Sequence, residues 1–425
     1  MAFLDELAAR GLMANVTDRD GLAKLLASDA PVTAYAGFDP TSSSLHVGNL
    51  VAVILLKRLQ LAGHRPIIVV GGATGMIGDP SGKSEERNLL DDSTLQFNLA
   101  SIRAQLSRLL DFDDPKIGAL MANNADWTRG IGFLEFLRDV GKYLTVNYMM
   151  AKDSVQSRLE NEAGISYTEF SYMLLQAFDF VELNKKHGCR LQVGGNDQYG
   201  NITAGCELSR KMGREQLYGL TAPLLLDSTG QKMGKTSTGE RVWLDPARTS
   251  AFEFYKYWFN VGDDDVGRLL KIFSLRPVAE LDELLRAHEA DRAPRTAQRE
   301  LARTLTSWVH GDLAVTRVEA ANRVFATGTL DGLDLTELAA LAETIPTVDV
   351  PRTELTAGVG IVDLLARTVA DSKGAARRLI QQGGAYVNNA RISDLEHKVT
   401  AANLVGDILL LVRGGKTNYK LVRAV

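Results

Sequence analysis

The stretch Val32-Thr-Ala-Tyr-Ala-Gly-Phe-Asp-Pro-Thr-Ser-Ser-Ser-Leu-His-Val-Gly-Asn49 runs directly into the apolar segment Leu50 to Leu61. Val32 to Phe38 reads as a short β-rich strand, and Leu50 to Leu61 as a helix apolar enough to be buried. A polar loop joins them. Strand, loop and helix in that order form the repeating unit of a parallel α/β sheet. The unit recurs, with further β-rich runs at Pro66 to Val70 and Arg190 to Val193 and Gly-rich loops between helical stretches, out to about Leu226. The expected fold class is α/β, with a Rossmann-like parallel-sheet domain over residues 1–226.

The loop Tyr35 to Asn49 opens onto a helix N-terminus, where free N–H groups and the helix dipole favour an anion. Gly48 allows close approach of a ligand, and His46 can donate a ring N–H to a phosphate oxygen. A second loop, Gly71-Gly-Ala-Thr-Gly-Met-Ile-Gly-Asp-Pro-Ser-Gly-Lys-Ser84, ends like a P-loop but is not one: Ile77 stands where the first glycine is required, and the G-x-G-x-x-G spacing is also missing. Lys83 and Arg87 still suit a cationic loop closing over pyrophosphate. A third, Asp227-Ser-Thr-Gly-Gln-Lys-Met-Gly-Lys-Thr236, places Lys232 and Lys235 three apart between glycines, so two ammonium groups can reach one polyphosphate. Taken singly, each loop is equally what a capped helix or a solvated surface turn looks like.

The remaining chain changes character. From Pro246 to about Phe325 apolar residues recur at helical spacing, in Phe252 to Phe259, Val266 to Phe273 and Leu301 to Val309, which predicts an α-helical domain over 246–326. Residues 327–352, with Gly328, Gly332, Pro346, Pro351 and one short helix (Leu335 to Glu343), read as a linker. Residues 353–425 read as a small α/β unit: helices at Ile361 to Ala370 and Gly374 to Gln382, then two β-rich runs around the Asn388-Asn389 turn.

Composition narrows the possible functions. The 425 residues are 45% hydrophobic and 24% charged, so globular domains are expected and disordered or fibrous classes are excluded. The apolar runs are too short to cross a bilayer. No secretory signal is visible, and two cysteines, Cys189 and Cys206, give neither a disulfide framework nor a zinc site. A cytoplasmic location is expected, with no membrane or DNA partner and no protein metal site. The formal charge of -4 argues against indiscriminate nucleic-acid binding. Residues 353–425, however, carry ten Lys plus Arg against six Asp plus Glu, so positive charge gathers at the C-terminal end.

In this order, the elements resemble class I aminoacyl-tRNA synthetases. His46-Val-Gly-Asn49 is similar to their H-I-G-H signature and Lys232-Met-Gly-Lys-Thr236 to their K-M-S-K-S loop. Tyr35 to Thr41, Gly71 to Lys83, Tyr172 to Asp179 and Gln192 to Gln198 resemble the bacterial tyrosyl-tRNA synthetases in particular. The C-terminal unit resembles an S4-type RNA-binding domain. Three departures stand out: Asn49 for the last histidine, Gly234 for the first serine, and Tyr199 where many relatives have tryptophan.

The resemblance implies an ordered set of roles. Tyr35 and Asp179 would bind the substrate phenol, Asp79, Tyr172 and Gln176 its ammonium, and Gln198 its carboxylate. Asp39, His46, Gly48, Gly195, Asp197 and Lys235 would bind ATP. Thr41, His46, Asn49, Lys83, Arg87, Lys232, Lys235 and Thr236 would serve catalysis. Mg²⁺ would arrive on the ATP phosphates. Residues 227–245 would be the mobile signature loop, 246–326 the anticodon-binding domain, and Arg377, Arg378, Arg391 and Lys416 would meet tRNA(Tyr). A homodimer is implied as well. Two other readings remain at this point: a tryptophanyl-tRNA synthetase, and a synthetase-like RNA-binding protein that no longer adenylates, which Asn49 leaves open.

Overall fold

The structure, a computed structural model, describes residues 2–79, 81, 91–159, 164–236 and 238–425. Lys83 and Arg87 lie outside the described residues. The chain divides into two compact units, Met1–Ser250 with Tyr257–Leu305, and Ala251–Lys256 with Thr306–Val425.

The first unit is built on a six-stranded sheet of β1 (Asn15–Val16), β2 (Thr33–Phe38), β3 (Arg65–Val70), β4 (Leu120–Asn123), β5 (Cys189–Gly195) and β6 (Tyr218–Ala222), in the order β1-β6-β5-β2-β3-β4. All neighbours are parallel except β1 and β6. From β2 the chain first adds strands on one side, β3 and β4, and later on the other, β5 and β6. The β2/β5 seam is therefore the topological switch point, where open α/β sheets bind ligands beyond the strand ends. Tyr35 and Gln192 are register partners across that seam. The helix Leu50–Leu61 spans the residues read from sequence, and Leu50, Val53, Ile54, Leu55, Leu56 and Leu59 are all buried. Such a helix can only sit inside a core.

The helical region does not stand apart as one domain. Its part in the first unit is clamped by two buried arginines, one near the N-terminus and one in the helix Leu50–Leu61: Arg10 donates to the carbonyls of Ser274 (3.0 Å) and Arg276 (2.7 Å), and Arg58 to that of Ser274 (2.5 Å). These carbonyls follow the helix Asp263–Phe273 and would otherwise lack partners. The helix Asp312–Thr327 belongs instead to the second unit.

That unit has a five-stranded sheet formed by β7 (Thr347–Val350), β9 (Ala385–Val387), β10 (Ala390–Arg391), β12 (Leu409–Gly414) and β13 (Asn418–Ala424), in the order β10-β9-β12-β13-β7. Two short strands, β8 (Val359–Gly360) and β11 (Lys398–Val399), pair separately. Alternation along β12 buries Leu410 and Val412 on one face with the helices Ile361–Thr368 and Lys373–Gln381, and Leu409 and Leu411 on the other. The second face is covered by Ala320, Val324, Leu338, Leu341 and Ile345. Residues 327–352 are thus part of the folded unit and not a linker: a sheet buried on both faces needs this helix, and β7 pairs parallel with β13. The Asn388-Asn389 turn is present, with φ of 44° and 66°, the left-handed pair a tight hairpin demands.

Ile345→Ala distinguishes a linker from a packed element. Against Leu409, Leu411 and Leu421 the truncation should destabilise the second unit by about 2–4 kcal/mol in denaturant unfolding. A shift under about 0.5 kcal/mol, as expected at a surface position, would mean the sheet face is not covered there.

Candidate functional site

A cavity of about 470 Å³ opens at the switch point, lined from Tyr35 and Asp179 at one end to His46, Lys232 and Lys235 at the other. Its inner end is set by the helix Tyr167–His187, which starts on the Ser166 cap and stops at Gly188 in the left-handed conformation. Tyr172, Gln176 and Asp179 lie on one face of this helix and all line the cavity, as their spacing requires.

Asp179 is buried and doubly bonded. Its Oδ1 accepts from Trp127 Nε1 at 2.8 Å and its Oδ2 from Asn124 Nδ2 at 3.0 Å. Burial nevertheless pushes its carboxyl up to about 7, against the pull of those two donors. Nearby, Tyr35 is 1% exposed and its hydroxyl has no hydrogen-bond partner among the described residues. Burial, then the charge of Asp179, raises that phenol well above its ordinary value. A buried unsatisfied hydroxyl facing a cavity with a buried carboxylate is a site awaiting a polar ligand atom.

Asn124 ties this end together. Its amide oxygen accepts from the Ala73 N–H (2.7 Å), while its amide nitrogen donates to both Asp179 and Thr74 Oγ1 (2.9 Å). The Thr74 hydroxyl donates to Asp39 Oδ1 (2.9 Å), and the Tyr172 hydroxyl to Asp39 Oδ2 (3.1 Å). Asp39 is therefore linked to Tyr172, the residue placed with the amino acid by resemblance. Further along, Gln198 Nε2 donates to Asp79 Oδ2 (2.6 Å), and Gln176 Nε2 to Gln198 Oε1 (3.3 Å). Asn201 donates to the amide oxygen of Gln176 (3.1 Å). At the end of β5, a Cβ on Gly195 would come within 2.7 Å of Asp197 Oδ1, so a larger residue there would push that carboxylate aside. Burial raises the Asp197 carboxyl, with Lys232 opposing it.

At the outer end, the Gly48 N–H donates to His46 Nδ1 (3.1 Å) and the His46 N–H to Asn49 Oδ1 (3.0 Å). The imidazole therefore carries its proton on Nε2, and burial, aided by Arg241, lowers its pKa to about 4. It is a neutral N–H donor at neutral pH. Asn49 keeps a structural task here by capping the turn that orients His46. The signature loop is stitched to this turn: Val47 N–H donates to Val242 O (3.1 Å), and Val242 N–H to Gly234 O (2.9 Å). Gly234 has φ of 121°, a conformation L side chains rarely adopt, which accounts for glycine in place of serine. Its N–H donates to the Tyr257 hydroxyl (3.0 Å).

Thr41, Gly48, Asn49, Asp79, Gly195, Asp197 and Gln198 also line the cavity. Thr236 does not: its hydroxyl pairs with that of Thr238 at 2.7 Å, and its N–H closes the turn onto Glu240 O. Cys189 is buried, and its thiol is pushed far up by desolvation; that of Cys206 rises to about 12. Burial thus disfavours the thiolate in both. In the second unit Arg377, Arg378, Arg391 and Lys416 are all exposed. Sequence reading missed Asn124, Trp127, Thr74, Asn201 and, in the second unit, Arg413, whose guanidinium lies 3.7 Å over the Tyr386 ring.

Residues 27–326 match the family profile of tRNA synthetases class I (W and Y), and residues 337–422 that of the tyrosine–tRNA ligase SYY-like C-terminal domain. The chain belongs to the class I tRNA synthetases (W and Y). Among relatives of this synthetase, the tyrosine–tRNA ligase of Rhodopirellula baltica is 49% identical over 424 residues, 99% of this chain and 96% of the relative. That of Roseiflexus castenholzii is 46% identical over 424 residues, 99% of each. The solved structure of a C-terminally truncated Aspergillus nidulans mitochondrial tyrosyl-tRNA synthetase is 32% identical, covers 76% of this chain and 93% of that one, and superposes with a TM-score of 0.69. The second profile begins at residue 337, within the stretch that reads from sequence as a linker and folds as part of the C-terminal unit.

Asn124→Ala would strip the Ala73 N–H, Thr74 and Asp179 of a partner at once. Urea unfolding should register a loss of roughly 1–3 kcal/mol, and more than Asn123→Ala, whose side chain caps the Ala125 N–H. Equal small losses from both would mean that the Asn124 bonds do not hold the site.

Proposed function

We propose that this chain is a tyrosyl-tRNA synthetase, joining L-tyrosine and ATP to tyrosyl-adenylate and pyrophosphate and then passing tyrosine to the 3'-terminal ribose of tRNA(Tyr). The observation that carries the reading is the pairing of the unpartnered Tyr35 hydroxyl with the held carboxylate of Asp179 at the closed end of the cavity. A phenol donates to the carboxylate and accepts from Tyr35, whereas phenylalanine satisfies neither and an indole leaves Tyr35 unpaired.

The tyrosine ammonium would lie among Asp79, Tyr172 and Gln176, with Asp39 behind Tyr172, and the carboxylate by Gln198. That carboxylate is ionised at neutral pH, so it attacks the α-phosphorus without a protein base. The oxygen–phosphorus bond forms as the bond to the β-phosphate breaks, and pyrophosphate leaves with the electron pair. The Nε2–H of neutral His46 and the ammonium groups of Lys232 and Lys235, joined by Lys83 and Arg87, would stabilise charge growing on the phosphates. Gly48 gives the nucleotide room, Thr41 and Asn49 frame it, Gly195 and Asp197 take the ribose, and Mg²⁺ enters as MgATP. Among the described residues no group of three His, Cys, Asp or Glu is placed to hold a metal ion.

In the second unit, the S4-like module, Arg377, Arg378, Arg391 and Lys416 would neutralise tRNA phosphates. A homodimer would form through the exposed apolar side chains of Phe133, Leu134, Val146, Met150 and Tyr167. Among the described residues no helix is long and apolar enough to cross a membrane, and a cytoplasmic site of action fits this task.

The direct test is ATP–pyrophosphate exchange without tRNA. Tyrosine should drive it and tryptophan should not; the reverse preference would replace this reading with the tryptophanyl one, and no exchange with either would favour the RNA-binding one.

A second expectation follows from the carboxyl at about 7. As pH rises from about 6 to about 8, Asp179 ionises and becomes a stronger acceptor, so tyrosine affinity by equilibrium dialysis should rise, and Asp179→Asn should flatten the profile. The same shift has the opposite sign for stability: its contribution is full below the unfolded pKa near 4 and is lost as pH climbs through about 7. A pH-independent affinity in the parent would mean that the Asp179 carboxyl does not titrate between about pH 6 and about 8.

A further inference from the structure

The hairpin that carries Lys235 brings a second cation to the same wall of the cavity. Lys235 and Arg241 are direct partners in an antiparallel bridge, so their side chains leave the same side of the ribbon. Both line the cavity, together with His46. Like charges directly opposite each other repel, and among the described residues neither has an ion-pair partner. The hairpin therefore holds two positive groups together on the cavity wall with no ion-pair partner among the described residues.

The other arginine near this hairpin is already engaged. Arg248 stacks 3.4 Å from the Trp243 ring and donates to Ser42 Oγ at 2.6 Å. Arg241 stands 5.7 Å from the same ring, exposed, and has no hydrogen-bond partner among the described residues. Its charge also reaches His46, where it adds to burial in keeping the imidazole neutral. The guanidinium thus lies on the cavity wall with His46 and Lys235, where an anion in the cavity would meet it.

We propose that Arg241 binds the pyrophosphate half of ATP beside Lys235, its planar fork taking two non-bridging oxygens of the leaving group. This rests on the adenylation reading of the site. When the tyrosine carboxylate bonds to the α-phosphorus, the electron pair of the breaking bond to the β-phosphate goes to pyrophosphate, and Arg241 together with Lys235 neutralises that added charge. Arg241 stands five residues beyond the signature motif itself, on the returning arm of the hairpin, and only the cross-strand register brings it to Lys235.

Two variants and two readouts test the assignment. In ATP–pyrophosphate exchange, Arg241→Gln should raise the KM for pyrophosphate about tenfold or more, with Arg241→Lys between it and the parent, because lysine keeps the charge but loses the fork. Tyrosine affinity by equilibrium dialysis should stay within about twofold in both, since Tyr35 and Asp179 lie at the other end of the cavity. Calorimetric titration with inorganic pyrophosphate, which needs no turnover, should show the same order of affinities. An unchanged pyrophosphate KM and affinity in Arg241→Gln would overturn the proposal, as would an equal loss of tyrosine binding. A parent that binds pyrophosphate through Arg241 but shows no tyrosine-dependent exchange would instead overturn the adenylation reading and leave this assignment standing.

Discussion

The carboxylate of Asp179 is the constraint around which the first unit is arranged. An ionised group there is opposed by desolvation, and the two side-chain donors that offset it come from one short stretch of chain, Asn124 just beyond β4 and Trp127 in the short helix that follows. Those donors are in turn fixed: Asn124 by the Ala73 N–H, and Trp127 by burial in the core with Lys186 4.9 Å from its ring. Through Thr74, Asp39 and Tyr172 the same network returns to the helix that bears Asp179. Loosening any member leaves a buried polar group unpaired, so the site and the stability of the sheet's outer loops are one problem.

The outer end of the cavity is organised differently. Backbone bonds from Val47 to Val242 and from Val242 to Gly234 join the two signature loops edge to edge, while the cations on the second loop remain exposed. A desolvated end around Asp179 and a cationic, solvent-facing end around Lys232 and Lys235 would suit the division of labour in adenylation. The first must distinguish one hydroxyl, and the second must meet charge that develops only as pyrophosphate departs. His46 belongs to both regimes: its tautomer is fixed by Gly48, and its neutrality is secured by burial and by Arg241.

Much of this was legible in the sequence because local chemistry decides it. The helix Leu50–Leu61 opens with an unbroken apolar run from Leu50 to Leu56 and spans the residues read for it; the Asn388-Asn389 turn needs two left-handed residues and has them; Tyr172, Gln176 and Asp179 share a face because helical geometry leaves no alternative. What escaped depends on partners distant in the chain. Asn124 is one of two adjacent asparagines with no motif around them, and its importance comes from Ala73, Thr74 and Asp179, all about fifty residues away. Residues 327–352 look like a linker because their glycines and prolines punctuate the local pattern. The partners of β7 and Ile345 lie some seventy residues later, in β12 and β13. Thr236 falls outside the cavity for a local reason no motif displays, the turn it closes with Thr238 and Glu240.

The central claim is that Tyr35 and Asp179 together read a phenolic hydroxyl. The most direct measurement is the ratio of kcat/KM for tyrosine over phenylalanine in pyrophosphate exchange, taken for the parent, Tyr35→Phe and Asp179→Asn, with folding checked by circular dichroism. The account predicts that the ratio falls in both variants, because each removes one half of the hydroxyl's recognition. A correctly folded variant of either residue with the parent's ratio would contradict it.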